Sequence, residues 1–150
     1  MRVVIQRVSS ASVEIGGNLV ASINKGMLIL LGIEEADHVE DIDWLVGKIA
    51  RLRIYPDEND VMNLDIVQAK GDILVVSQFT LHASTRKGNR PSYIRAARPE
   101  TAIPMYNAFI QKLKQDTNRP VLTGEFGAMM QVSLVNDGPV TIIIDSQQKE

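Results

Sequence analysis

The run Gly26-Met27-Leu28-Ile29-Leu30-Leu31-Gly32-Ile33, with no polar side chain in it, constrains this chain more than any other feature. It is far shorter than the roughly 20 residues of a membrane span. An amphipathic strand or helix would set polar residues into it at regular intervals, so the run predicts a strand in the middle of a sheet, covered on both faces. Residues 2–8, 11–15 and 19–23 are rich in β-branched side chains, and Gly16-Gly17-Asn18 has the chemistry of a hairpin turn. Further strands are therefore expected ahead of the central one.

From Asp37 the period changes. Val39, Ile42, Val46 and Ile49, with Leu45 and Leu52 beside them, fall on one stripe at helical spacing. Glu34, Glu35, Asp37, Glu40, Asp41 and Asp43 crowd the start of this helix, where they oppose the positive end of its dipole. They do not follow the spacing of a calcium loop, and a solvated helix start accounts for them. Residues 56–70 read as an irregular connection, and Ile73-Leu74-Val75-Val76-Ser77-Gln78-Phe79 as a second buried strand. Pro99-Glu100 opens another helix, with Ala102, Met105, Tyr106, Phe109, Ile110 and Leu113 on its stripe, and Arg119-Pro120 ends it. Residues 129–136 and 139–144 are expected as two strands separated by Asn136-Asp137-Gly138-Pro139. Two amphipathic helices over a strand-rich core predict a layered α/β domain.

Composition removes several classes of function. At 150 residues a single domain is expected. The absence of cysteine excludes thiol catalysis, disulfides and Cys-ligated metals. Two histidines, His38 and His82, do not make a site of several imidazoles. Neither GxGxxG, GxxxxGK[ST] nor GxSxG occurs, so neither a metal nor another cofactor is expected, and no triad hydrolase is announced. The opening Met1-Arg2-Val3-Val4-Ile5-Gln6-Arg7 lacks the apolar core of a signal peptide, which predicts a cytoplasmic protein without a membrane anchor.

Chemistry remains possible at a few places. Ser77-Gln78-Phe79-Thr80-Leu81 ends a buried strand, where hydroxyls, an amide and freed backbone N–H groups can meet a ligand or simply satisfy the strand terminus. In Val135-Asn136-Asp137-Gly138-Pro139-Val140-Thr141 the Gly-Pro bond is either a cis peptide whose carbonyls face a pocket or a tight hairpin turn with a trans bond; residue types alone favour the turn. Between Asp72 and Glu100 there is no acid, while Arg86, Lys87, Arg90, Arg95 and Arg98 give that segment a charge of +5 in a chain of net charge −2. Such a segment suits phosphates better than a plain solvated loop does. Arg7 shares strand parity with Val3 and Ile5, so it either meets clustered backbone carbonyls or snorkels at a rim. His82, alone in a polar loop, reads as an incidental surface residue rather than a catalytic base.

These segments together, with Gln6-Arg7-Val8, Met62-Asn63-Leu64, Arg90-Pro91-Ser92 and the stretch from Met130 to Thr141, resemble the D-aminoacyl-tRNA deacylase (D-tyrosyl-tRNA deacylase) family essentially end to end over residues 1–150. The resemblance implies a three-layer β/β/α fold and a homodimer acting on D-aminoacyl-tRNA. It implies a cis Gly138-Pro139 peptide that enters the partner's site, receives the substrate's amino group and excludes L side chains, with Arg7 holding the motif. It further implies that Ser77, Gln78, the Phe79 N–H and Thr80 line the reacting centre and that Asn136 and Met130 contact the substrate. Arg86, Lys87, Arg90 and Arg95 would hold tRNA phosphates, with the tRNA 2′-hydroxyl assisting attack by water. Glycine, being achiral, would also be released. A tRNA-binding module without activity and an esterase for small D-amino-acid derivatives are the alternatives.

Overall fold

The computed structural model describes residues 1–149 and places the apolar run as strand β3 (Gly26–Gly32), between β1 (Arg2–Ile15) and β6 (Asp72–Ser77). It pairs antiparallel with β1 and parallel with β6. A parallel neighbour requires a crossover connection, and helix α1 (Val39–Ala50) supplies it. Helix α2 (Pro99–Thr117) makes the next crossover, from β6 to a parallel strand β7 (Val121–Thr123) that is too short to leave a pattern in the sequence. The turn at Gly16-Gly17 joins β1 to β2 (Asn18–Ile23) as expected. Within 56–70 the chain forms a small ribbon of β4 (Tyr55–Pro56) and β5 (Met62–Leu64).

Two expectations are corrected. Residues 2–8 and 11–15 are one strand, because Ser9 and Ser10 stay extended in a register shift instead of turning. Its first half pairs with β3 and its second half with β2. The shift also exchanges the faces: Val3 and Ile5 point toward the helices, whereas Val8, Ala11 and Val13 point to the opposite side. Likewise residues 129–136 and 139–144 are not a hairpin. From Gln131 on they belong to one strand, β8 (Gln131–Asp145), both halves of which run antiparallel to β1, while Met129 and Met130 precede it.

The strands β1, β2 and β8 curl over β3 and β6 and enclose Val8, Ala11, Val13, Ala21, Ile23, Leu28, Leu74 and Val76. On the other face, Val3, Ile5, Met27, Ile29, Leu31, Ile73 and Val75 pack against Ile42, Leu45, Val46 and Ile49 of α1 and Phe109, Ile110 and Leu113 of α2. The result is a three-layer β/β/α domain, with the central strand covered on both faces. Val39 is exposed and outside the α1 stripe. The acidic start of α1 is only partly solvated. Asp37 is buried, accepts from the Glu34 N–H at 2.8 Å and pairs with the Met1 amino group, which also donates to Ser146 Oγ at 2.9 Å.

Candidate active site

Strands β3 and β6 end together, and a cavity of about 460 Å³ opens beyond them. Ser77, Gln78, Phe79 and Thr80 form one wall, and Phe126, Gly127, Ala128, Met129 and Met130 form the opposite one. The ladder continues one residue past the strand, as the Gln78 N–H donates to Leu31 O at 2.7 Å; the chain then tightens into a 3₁₀ turn over Phe79–His82. Gln78 Nε2 donates to Thr80 Oγ1 at 2.5 Å. The Phe79 N–H, at the start of the turn, has no acceptor among the described residues. Phe79 lines the cavity, and an unpaired N–H at the start of such a turn is the kind of group that can stabilise a developing oxyanion.

His82 is buried, not a surface residue, and it lies outside the cavity lining. Neither ring nitrogen has a hydrogen-bond partner; Nδ1 is 3.8 Å from Glu34 Oε2. The turn brings it inward because position 82 follows the strand end by one 3₁₀ turn, close enough that a Cβ on Gly32 would meet its ring at 3.1 Å.

The second motif forms a separate cluster. Gln6 pairs with Thr141 and Val8 with Asn136, so Arg7 alone faces the four residues Asp137–Val140, which bulge from the strand. The Gly138-Pro139 peptide is cis, not the trans bond of a hairpin, and both residues are exposed. Gly138 has φ +151°, and a Cβ there would lie 2.6 Å from the Val140 N, so only glycine fits. The Asn136 side chain closes the bulge, accepting from the Val140 N–H at 2.8 Å and donating to Val140 O at 3.3 Å. Arg7, whose side chain is only 11% exposed, donates from Nε to Asp137 O at 2.8 Å and from Nη1 to Ile54 O at 2.6 Å. Its parity does carry it to backbone carbonyls. Nearby Tyr55 is buried with an unpartnered hydroxyl, and burial pushes its pKa up; Arg7 opposes the shift and Asp137 adds to it.

Of the basic residues, Arg95 holds the buried Glu34 carboxylate through Nε at 3.1 Å and Nη2 at 2.7 Å. Arg86, Lys87 and Arg90 are exposed and make no ion pair among the described residues. The structure thus joins Ser77, Gln78, Phe79, Thr80 and Met130 in one cavity, whose lining includes neither Arg7 nor residues 136–139. The Phe126–Ala128 part of this wall is absent from the sequence reading; Gly124 and Gly127 were its only signals in the sequence, and the structure gives Gly127 φ +78° and brings Gly124 against the Met130 side chain.

A β-rich α/β domain with a cavity at the ends of two parallel strands, lined by the turn that follows one of them, is a place where main-chain groups can meet a small substrate. The family model described as D-Tyr-tRNA(Tyr) deacylase matches residues 4–145. Relatives named D-aminoacyl-tRNA deacylase include those of Flavobacterium johnsoniae, 61% identical, and Bacteroides fragilis, 63% identical, each over 100% of both chains. A solved structure described as a c-Myc DNA unwinding element binding protein superimposes with a TM-score of 0.92 at 39% identity, covering 97% of this chain and 98% of that one. A probable eukaryotic D-amino acid tRNA deacylase shares the fold, with a TM-score of 0.80 at 15% identity over 95% of this chain and 97% of that one. The chain belongs to the D-Tyr-tRNA(Tyr) deacylase family, hydrolases acting on ester bonds.

Proposed function

We propose that residues 1–150 form one cytoplasmic catalytic domain that hydrolyses the ester joining a D-amino acid to the terminal adenosine of tRNA. It works as a homodimer in which the Gly138-Pro139 bulge of each chain enters the cavity of the other. The observation that carries this reading is the separation of the two motifs: the cavity holds Ser77–Thr80 but not residues 136–139, and Gly138 and Pro139 are exposed at the surface of the chain. A second copy would bring them together.

Water adds to the ester carbonyl, the bond from that carbon to the ribose oxygen breaks, and the ribose oxygen leaves with a proton. The Phe79 N–H is the oxyanion donor, and the neighbouring tRNA 2′-hydroxyl assists the water. Thr80, held by Gln78 and with no base beside it, supports the site and is not the nucleophile. Ser77 and Met130 line the substrate. The Gly138 and Pro139 carbonyls receive its amino group and leave no room for an L side chain, so glycine passes as well. Asn136 and Arg7 keep those carbonyls in place. Arg86, Lys87 and Arg90 hold tRNA phosphates, while Arg95, drawn to Glu34, fixes the segment that carries them.

A paired time course with D-tyrosyl-tRNA and L-tyrosyl-tRNA tests the reading. Release of the D-amino acid with the L-ester spared is expected, and sedimentation at twice the mass of one chain. Equal release would leave an unselective esterase, and tRNA binding without release a binding module. A free D-tyrosyl ester hydrolysed as well as the tRNA ester would remove the role of the basic segment.

A further inference from the structure

Beside the cavity, Phe79 and Tyr93 meet edge to face, with ring centroids 5.1 Å apart and planes at 74°. They are 56% and 39% exposed, and the adjoining Ile94 is 90% exposed. An edge-to-face pair covers one of its four ring faces, so flat surface remains open to a ligand. Phe79 belongs to the cavity lining, whereas Tyr93 belongs to the acid-free segment. That segment is pinned on both sides of Tyr93. Ser84 and Ser92 exchange backbone hydrogen bonds at 2.8 and 2.9 Å, the Ala97 N–H donates to Ile33 O at 2.9 Å, and Arg95 holds Glu34. The loop closed by Ser84 and Ser92 carries Arg86, Lys87 and Arg90, which have no ion-pair partner among the described residues.

Exposed aromatic rings next to unpaired cations fit a ligand that is both flat and polyanionic, which is single-stranded nucleic acid. A cavity of about 460 Å³ holds one compact molecule, so the polynucleotide leading to it lies outside, and Phe79 is a lining residue, more than half exposed, beside the basic segment. We propose that Tyr93 and Phe79 form a stacking ledge for the nucleobase preceding the terminal adenosine of the tRNA, with the adjoining phosphates on Arg86, Lys87 and Arg90. The inference rests on the deacylase reading above and extends it to a binding subsite outside the cavity. Stacking accepts any base face, so the ledge serves tRNA in general and distinguishes it from short esters.

The test compares D-tyrosyl esters of adenosine and of the trinucleotide CCA as substrates of the parent protein and of Tyr93→Ala, Tyr93→Leu and Tyr93→Phe. In the parent, KM is expected to be lower for the trinucleotide ester. Tyr93→Ala and Tyr93→Leu should erase about tenfold of that preference, whereas Tyr93→Phe keeps it. Tyr93→Leu fills the space without a flat face, so it separates stacking from folding. The ledge is overturned if Tyr93→Leu keeps the parent's ratio of KM values, or if both esters shift together. Loss of the dimer in Tyr93→Leu with an unaltered ratio overturns it too, placing a second copy on that surface. A parent protein that hydrolyses neither ester refutes the deacylase reading and the ledge with it; hydrolysis of both by the parent keeps the two failures distinct.

Discussion

Replacing Arg7 with methionine keeps the apolar stem of the side chain and removes the guanidinium that spans the bulge and the β4 ribbon. Two charge-assisted hydrogen bonds are lost, to Asp137 O at 2.8 Å and to Ile54 O at 2.6 Å. Ile54 is buried, so its carbonyl is left without a partner. Bonds to charged groups contribute about 1.5–3 kcal/mol each, and the two share one side chain whose contact with the half-exposed Asp137 carboxylate adds little, so a net loss of about 3 kcal/mol is expected. For a domain of this size that lowers Tm by roughly 6–12 °C in a far-UV circular dichroism melt. Assayed well below that Tm, the variant should lose roughly 100-fold in D-tyrosyl-tRNA turnover, the usual effect of carbonyls displaced by about 1 Å. Arg7→Lys should fall between the two, since a single ammonium reproduces the charge but not the fork. An Arg7→Met protein that melts with the parent and retains D-selective turnover would refute the role of Arg7 as the anchor of the bulge.

Other consequences follow from the same contacts. Gly138→Ala sets a Cβ 2.6 Å from the Val140 N at a φ that side chains rarely adopt; about 1–3 kcal/mol of local strain is expected, with most D-ester turnover lost and Tm lowered by roughly 2–12 °C. Thr80→Ala should retain appreciable turnover; complete loss with substrate binding intact would make Thr80 the nucleophile. Tyr55→Phe deletes a buried hydroxyl that has no partner, so stability in urea should hold or rise by up to about 1 kcal/mol, and a fall would place a partner on that oxygen. Burial opposes ionisation of Asp145, but the Gln147 N–H and Arg2 outweigh it and hold its pKa below the ordinary value. Its contribution is therefore complete above the unfolded pKa, about 3.9, and is lost as pH falls through the lower folded value. Asp145→Asn should accordingly lower the urea midpoint at neutral pH and cease to differ from the parent in strong acid.

The elements readable along the chain are those whose cause is local. An unbroken apolar run, the stripes of α1 and α2, the turn at Gly16-Gly17 and proline at the start of α2 each depend on residues a few positions apart. The same holds for the chemistry of Ser77–Thr80 at a strand end and for the charge of the basic segment. The continuity of β1 and β8 was not readable in this way, because Ser9-Ser10 and Asp137–Pro139 have the local chemistry of breaks. What keeps them in strands is pairing with residues more than a hundred positions away, Gln6 with Thr141 and Val8 with Asn136. That register leaves Arg7 facing the bulge and thereby makes an anchor of it. The burial of His82, the capture of Arg95 by Glu34 and the Phe126–Ala128 wall likewise arise from packing between distant segments. Local side-chain periodicity specifies which elements form; the long-range register that places their functional groups is fixed only when the elements meet.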